Sequence, residues 1–119
     1  MNTRRKGDAG ETTAARYLTE HGYQILEQNF HSKFGEIDLI AFRDNTFVFA
    51  EVKNRNGHAS GYAEEAVPFA KQKRICATAD YYRMKNLLTE RFSYRFDIIA
   101  INAGNIRHIE NAFPYLGGF

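Results

Sequence analysis

The chain has 119 residues, 44% of them apolar and 25% charged, which suits one globular core and excludes an intrinsically disordered protein. Sixteen Lys and Arg against fourteen Asp and Glu leave a net charge of +2, too little to hold nucleic acid by bulk electrostatics, so any such partner would need basic residues gathered locally. A lone cysteine, Cys76, excludes an internal disulfide framework and a cysteine-built zinc site, and no apolar run approaches the ~20 residues of a membrane span. The start, Met1 to Lys6, is basic but has no apolar stretch behind it, so it does not read as a signal peptide. The expectation is a cytoplasmic protein with one domain over residues 1–119 and no membrane partner.

In chain order, Asp8 to Gly22 reads as a first helix, with Asp8 as N-cap, Glu11 three residues on as in a capping box, and Gly22 as terminator. Its apolar stripe is Ala14, Ala15 and Leu18. Tyr23 to Phe30, Gly35 to Phe42 and Thr46 to Lys53 read as three strands, the last two separated by the turn-forming Arg43-Asp44-Asn45. An open loop follows over 54–61. Glu64 to about Leu88 reads as a long helix, with Pro68 tolerable near its first turn. Two more strands, Tyr94 to Asn102 and Asn105 to Asn111, precede a tail (Pro114 to Phe119) expected to be loose or draped on the surface. The order α-β-β-β-α-β-β implies an α/β mixed sheet flanked by two helices.

Four carboxylates break the apolar pattern. Glu51 and Lys53 are two apart and share one face of the third strand, after Phe47 and Phe49 on that face. Asp38 stands on the second strand, which is apolar at Ile37, Leu39 and Ala41 and again at Ile40 and Phe42. A strand apolar on both faces is buried, and Asp38 with it. A tight turn at Asp44-Asn45 pairs Phe42 with Phe47, Ile40 with Phe49, Asp38 with Glu51, and Glu36 with Lys53. Opposed residues have Cβ atoms ~4.5–5.5 Å apart, so the two acids repel unless something positive lies between them. Glu11 extends the Ala14, Ala15, Leu18 stripe toward the sheet.

A divalent cation would answer that need. Mg²⁺ uses one or two carboxylates plus waters and phosphate oxygens. It lowers the pKa of bound water and offsets charge on a phosphodiester. A neighbouring lysine can orient or help deprotonate the water.

Gly35-Glu-Ile-Asp38 followed thirteen residues later by Glu51-Val-Lys53 resembles the PD-(D/E)xK nuclease motif, with Ile37 where that superfamily often has Pro. More closely, the chain resembles the YraN family of small bacterial proteins. The likeness runs through Gly7-Asp-Ala-Gly-Glu11, Ala15 to Leu18, Gly22-Tyr23, Gly35 to Ala41, Val48 to Arg55, Ala66-Val67, Lys71-Gln72 and Arg95-Phe-Asp97, nearly the whole length. The layout is similar to archaeal Holliday-junction resolvases, which carry a helix Glu, an Asp and Glu-x-Lys in the same order. The resemblance implies a restriction-endonuclease-like fold and one or two Mg²⁺ or Mn²⁺ ions. It implies Asp38 and Glu51 as metal ligands, Lys53 as catalytic lysine and Glu11 as an accessory acid. The carbonyl of Val52 is a third candidate ligand.

The expected activity is hydrolysis of DNA phosphodiesters, with branched or structured DNA favoured by the resolvase likeness alone. Arg4, Arg5, Lys6 and Arg55 are the candidates for backbone phosphate contacts, because they flank Glu11 and Lys53. Lys71, with Lys73 and Arg74, forms either a phosphate-binding face or a solvated helix face. For Gln72 a buried structural hydrogen bond and a site role stand side by side. Resolvase-type symmetry would call for a homodimer, with Tyr17, Phe92 and the Tyr115 to Phe119 tail as exposed apolar candidates. Asp97 pairs with Arg95 or a loop, Cys76 is a small core residue, Glu36 is a solvated strand-end charge, and the four histidines are surface or satisfied groups. The competing class is a module that binds nucleic acid on a nuclease fold without cleaving it. A glycosidase-type carboxylate pair makes poor use of Lys53.

Overall fold

The computed structural model describes residues 5–55 and 66–117, with side chains in the first helix described from residue 9 onward. Helix α1 spans Arg5–Glu20, strands β1, β2 and β3 span Gln24–Ser32, Gly35–Arg43 and Thr46–Arg55, helix α2 spans Phe69–Lys85, and strands β4 and β5 span Ser93–Asn102 and Asn105–Ile109. The expected mixed α/β order is the order observed. The strands form one sheet in the order β1-β2-β3-β4-β5. Every neighbour pair is antiparallel except β3–β4, which is parallel. That parallel pair needs a crossover, and α2 lies in it.

The β2–β3 register is the one the turn dictated. Arg43 faces Thr46, Phe42 faces Phe47, Ile40 faces Phe49 and Leu39 faces Ala50. Asp44 and Asn45 both take positive φ (51° and 63°), as a hairpin turn matched to strand twist requires. The apolar residues then sort onto two faces. Ala14, Ala15 and Leu18 of α1 pack on Leu39, Ala41, Val48, Ala50, Ile99 and Ile101. Ile75, Cys76, Ala79 and Tyr82 of α2 pack on Phe30, Ile40, Phe47, Phe49, Phe96 and Ile98. The middle of the sheet is thus buried on both sides.

Several boundaries differ from the sequence reading. The α1 backbone is helical back to Arg5, so Asp8 is not its N-cap; a favourable cap residue inside a longer helical run is overridden by that run. The C-terminal end follows expectation: Tyr23 N–H donates to the Leu18 carbonyl (3.0 Å) across Gly22, whose φ of +89° suits a residue without Cβ. Helix α2 starts after Pro68 as N-cap, because proline disfavours helical geometry in the residue before it; residues 64 and 65 lie outside the described residues. It stops at Asn86, whose side chain donates to the Tyr82 carbonyl at 2.9 Å, short of Leu88. β5 ends at Ile109, not Asn111.

The tail is draped, not loose, as far as it is described. Phe113 is buried and stacked on Phe96, Leu116 N–H meets the Cys76 sulfur, and Tyr115 donates to Asp80. Of the expected exposed apolar residues, Tyr115 is exposed, whereas Tyr17 is tied to His108 and Phe92 packs on Phe47. Phe34, Phe69, Met84 and Leu87 are exposed instead. Among the described residues no helix is long and apolar enough to cross a membrane.

Candidate functional site

The β1–β2 ladder shifts register between Ile25 and Glu27 and is interrupted again further along, and the acids lie at that second break. Gln28 faces Leu39 and Phe30 faces Ile37, with Asn29 and Asp38 between those rungs. Asn29 has φ +54°, a left-handed conformation that asparagine tolerates better than most residues. Beyond this kink the strands change faces: Phe30 and Ile37 join the α2-side core, whereas Leu39 belongs to the α1 side. The expectation that Ile37, Leu39 and Ala41 share one face is therefore corrected. The change of face coincides with the gap in the β1–β2 ladder between the Gln28–Leu39 and Phe30–Ile37 rungs.

The β2–β3 ladder stops at Leu39–Ala50, one rung before Asp38 and Glu51. Asp38 closes the gap with its side chain: its Oδ2 accepts the Val52 N–H at 2.8 Å. Glu51 sits one residue earlier on β3 and is 7% exposed. Its Oε2 accepts from the Lys71 ammonium at 2.5 Å. Lys71 is the third residue of α2, so the first turn of that helix supplies the cation for the buried carboxylate. Glu11 comes from α1, where Gly10 is buried against Asn54; a Cβ on Gly10 would lie 3.1 Å from the Asn54 Cβ. That close approach brings the helix to the strand end, and Asn29 Nδ2 donates to Glu11 Oε1 at 2.7 Å. Elements α1, β1, β2, β3 and α2 thus meet at the carboxyl end of β3, next to the parallel β4, where open α/β sheets commonly place their sites.

The electrostatics follow from this crowding. Burial, then the charges of Glu51 and Glu11, push the Asp38 carboxyl up to about 7, with the Val52 N–H and Lys71 acting against them. Burial pushes the Lys53 ammonium below its ordinary value, with Lys71 and Arg55 adding to the effect and Glu51 opposing it. The shift favours the neutral amine of this half-buried lysine more than in an exposed lysine.

The donor chemistry suits a hard divalent cation. Asp38 and Glu51 offer carboxylate oxygens from adjacent strands, and a buried Glu51 requires a cation partner. As the side chains stand, each acid is held by a protein donor. No group of three His, Cys, Asp or Glu among the described residues is arranged to hold an ion.

Other predicted residues divide. Glu36 is solvated and pairs with His31 (2.7 Å), so the expected pairing with Lys53 gives way to a neighbour on β1. Gln72 is half-buried, and its Nε2 donates to the Val67 carbonyl at 2.8 Å. Lys71 is partly exposed and ion-paired with Glu51, so it belongs to the acid cluster as well as to the basic face of α2. Lys73 lies near the Phe69 ring, on the exposed side of α2. Arg55 is at the end of β3, two residues beyond Lys53. Arg4 and His58 lie outside the described residues, as do the side chains of Arg5 and Lys6. Sequence reasoning missed Asn29, although a polar residue tolerant of positive φ between Gln28 and a core Phe30 was a legible irregularity.

A second polar cluster lies on the α1 side. Asp97 is fully buried and accepts from Arg95 (2.9 Å), from His108 (2.7 Å) and from the Asn111 N–H (3.1 Å). Arg95 also reaches the Tyr23 hydroxyl at 2.6 Å. Burial raises the Asp97 carboxyl, but these hydrogen bonds outweigh it and hold it below the usual carboxylate range. This is the structural role expected for Asp97.

Comparison with known proteins places the chain. Residues 10–101 match the model of the uncharacterised protein family UPF0102. A UPF0102 protein of Lachnoclostridium phytofermentans is 44% identical over 98% of this chain and 99% of its own length. One from Persephonella marina is 45% identical over 91% of this chain and 92% of its own. One from Aliivibrio fischeri is 45% identical over 94% of each. Matches of that identity along almost the full length of both chains make this protein a member of the UPF0102 family.

Proposed function

We propose that this protein is a metal-dependent endonuclease of the PD-(D/E)xK type that hydrolyses DNA phosphodiester bonds, with branched or structured DNA as substrate. The observation that carries the reading is the buried Glu51 beside Asp38 on adjacent strands, with Lys53 one side-chain step further along β3. A surface ion-pair ladder would not bury a carboxylate to 7% exposure or leave its neighbour with a pKa near 7. In this reading Asp38 and Glu51 hold Mg²⁺ or Mn²⁺, with the Val52 carbonyl as a further oxygen. When bound, the ion lowers the pKa of water and stabilises charge on the scissile phosphate. Lys53 orients the attacking water and moves its proton. Glu11, fixed by Asn29, adds a carboxylate at the rim. Arg55, with Arg4, Arg5 and Lys6 at the amino-terminal end of the chain, binds the DNA backbone.

Purified protein incubated with Mn²⁺ or Mg²⁺ should cut a four-way junction, a flap or a single strand. Lys53→Ala should bind the same DNA and lose cleavage by about 10²-fold or more, as removal of a proton-transfer group does. Wild-type rates in that variant would refute the assigned role.

A second reading has its own observation. Each acid is held by a protein donor, and no three-ligand group among the described residues is arranged to hold an ion, as a binding module on this fold would show. A gel shift without cutting, across metals and DNA structures, would select it.

A further inference from the structure

Glu51 and Lys53 are two residues apart on β3, and sequence alone makes them natural partners. The structure gives the buried Glu51 a different cation. Lys71 reaches across from α2 and donates to Glu51 Oε2 at 2.5 Å, while its own side chain stays 38% exposed. Lys71 therefore stands where a buried carboxylate meets solvent. It neutralises Glu51 on the inner side and is open to water on the other.

A metal ion would change the charge count at this point. With Asp38 and Glu51 ionised, an ion of charge +2 balances both acids. Adding it while Lys71 stays on Glu51, with Lys53 close by, sets four positive charges against the three of Asp38, Glu51 and Glu11, an excess in a partly buried site. The ammonium and the ion also compete for the same oxygen. Lysine is suited to yielding, since its charge sits on a flexible four-carbon stem and its hydrated head prefers water. Lysine released at the mouth of an acid site faces the region where a phosphate would lie.

We propose that Lys71 is a resident counter-ion of this site, displaced from Glu51 by a divalent cation and then free to bind the substrate phosphate. The inference rests on the reading of Asp38 and Glu51 as metal ligands. Lys71 would thus be a positioning residue that pairs with the buried ligand and holds it in place before metal arrives. Metal loading would create the phosphate contact as well as the metal centre.

Isothermal titration of wild type, Lys71→Gln and Glu51→Gln with Mn²⁺ at pH 8 tests it. Lys71→Gln should bind Mn²⁺ roughly tenfold more tightly, because no charge-assisted hydrogen bond has to be broken, and its metal-loaded form should bind DNA more weakly. Glu51→Gln should lose Mn²⁺ affinity. In wild-type protein labelled with ¹⁵N at lysine side chains, the Lys71 ammonium signal should be protected without metal and shift or exchange away with Mg²⁺. That measurement needs no variant to fold. Wild-type Mn²⁺ binding with equal or weaker affinity in Lys71→Gln, or a Lys71 signal unmoved by saturating Mg²⁺, would overturn the displacement and leave the nuclease reading standing. No Mn²⁺ binding by wild type or either variant would overturn both.

Discussion

Asp38 carries the largest consequence at the level of single residues. Its carboxyl is pushed up to about 7 by burial and by Glu51, so the folded protein holds a proton that the unfolded chain releases at lower pH. A carboxyl raised in the folded state stabilises the fold fully only below the ordinary carboxylate range, and stability declines from about pH 4 to about pH 7. In metal-free buffer the melting temperature of wild type should therefore fall across that window relative to Asp38→Asn, which cannot ionise and still offers an oxygen to Val52 N–H. Thermal melts at pH 5 and pH 8 measure it; parallel pH profiles for the two proteins would refute the assignment. Asp97 has the opposite sign. Its carboxyl is held low by His108 and Arg95 against burial, so its contribution is present at neutral pH and lost only in acid. The motif gave these residues their identity. Neither shift was legible, because each depends on burial and on partners from other elements, Glu51 for Asp38 and His108 for Asp97.

The elements were legible where local chemistry decided them. Strand β3 is a run of β-formers, and the Asp44-Asn45 turn set its register against β2, which the ladder from Arg43–Thr46 to Leu39–Ala50 follows. The face change between Leu39 and Ile37 was not legible, since period-two reasoning assumes an unbroken ladder and the β1–β2 ladder is interrupted there. The approach of α1 to β3 was not legible either, although a glycine in a helix interior was its trace. Gly10 is worth about 1 kcal/mol less than Ala by helix propensity alone. Here, however, a Cβ would meet the Asn54 Cβ at 3.1 Å and the amide nitrogen at 3.0 Å. Gly10→Ala should therefore show no stability gain, and Gly10→Val should lose about 1–3 kcal/mol, as overpacked positions do. Urea titration measures both. A Gly10→Val protein as stable as wild type would mean that α1 does not rest on the strand end.

At the level of the whole molecule, the parallel β3–β4 pair organises the fold and the site together. Helix α2 must cross between these strands, and that crossing delivers Lys71 to Glu51 and buries Ile75, Cys76, Ala79 and Tyr82 on the sheet. The tail completes the same layer, with Phe113 stacked on Phe96 at 5.3 Å between ring centres. Phe113→Ala should cost about 3 kcal/mol, the cost of emptying a buried aromatic site, and calorimetry should show a lower Tm with the fold retained. An unchanged Tm would show that the tail only covers the surface.

The near-balance of sixteen positive and fourteen negative side chains also reads differently once the fold is known. Three of the acids, Glu11, Asp38 and Glu51, converge at one strand end, so a small net charge conceals a local acidic site. Sequence by itself determined the element order, the central hairpin register and the identity of the acids and Lys53. Each of these depends on neighbouring residues, on a two-residue period or on a motif. The tertiary structure alone decided which cation neutralises Glu51, which strand end Glu11 reaches and where the sheet changes faces. Those outcomes depend on burial and on charges brought together from distant parts of the chain, and a buried carboxylate takes whichever partner packing sets against it.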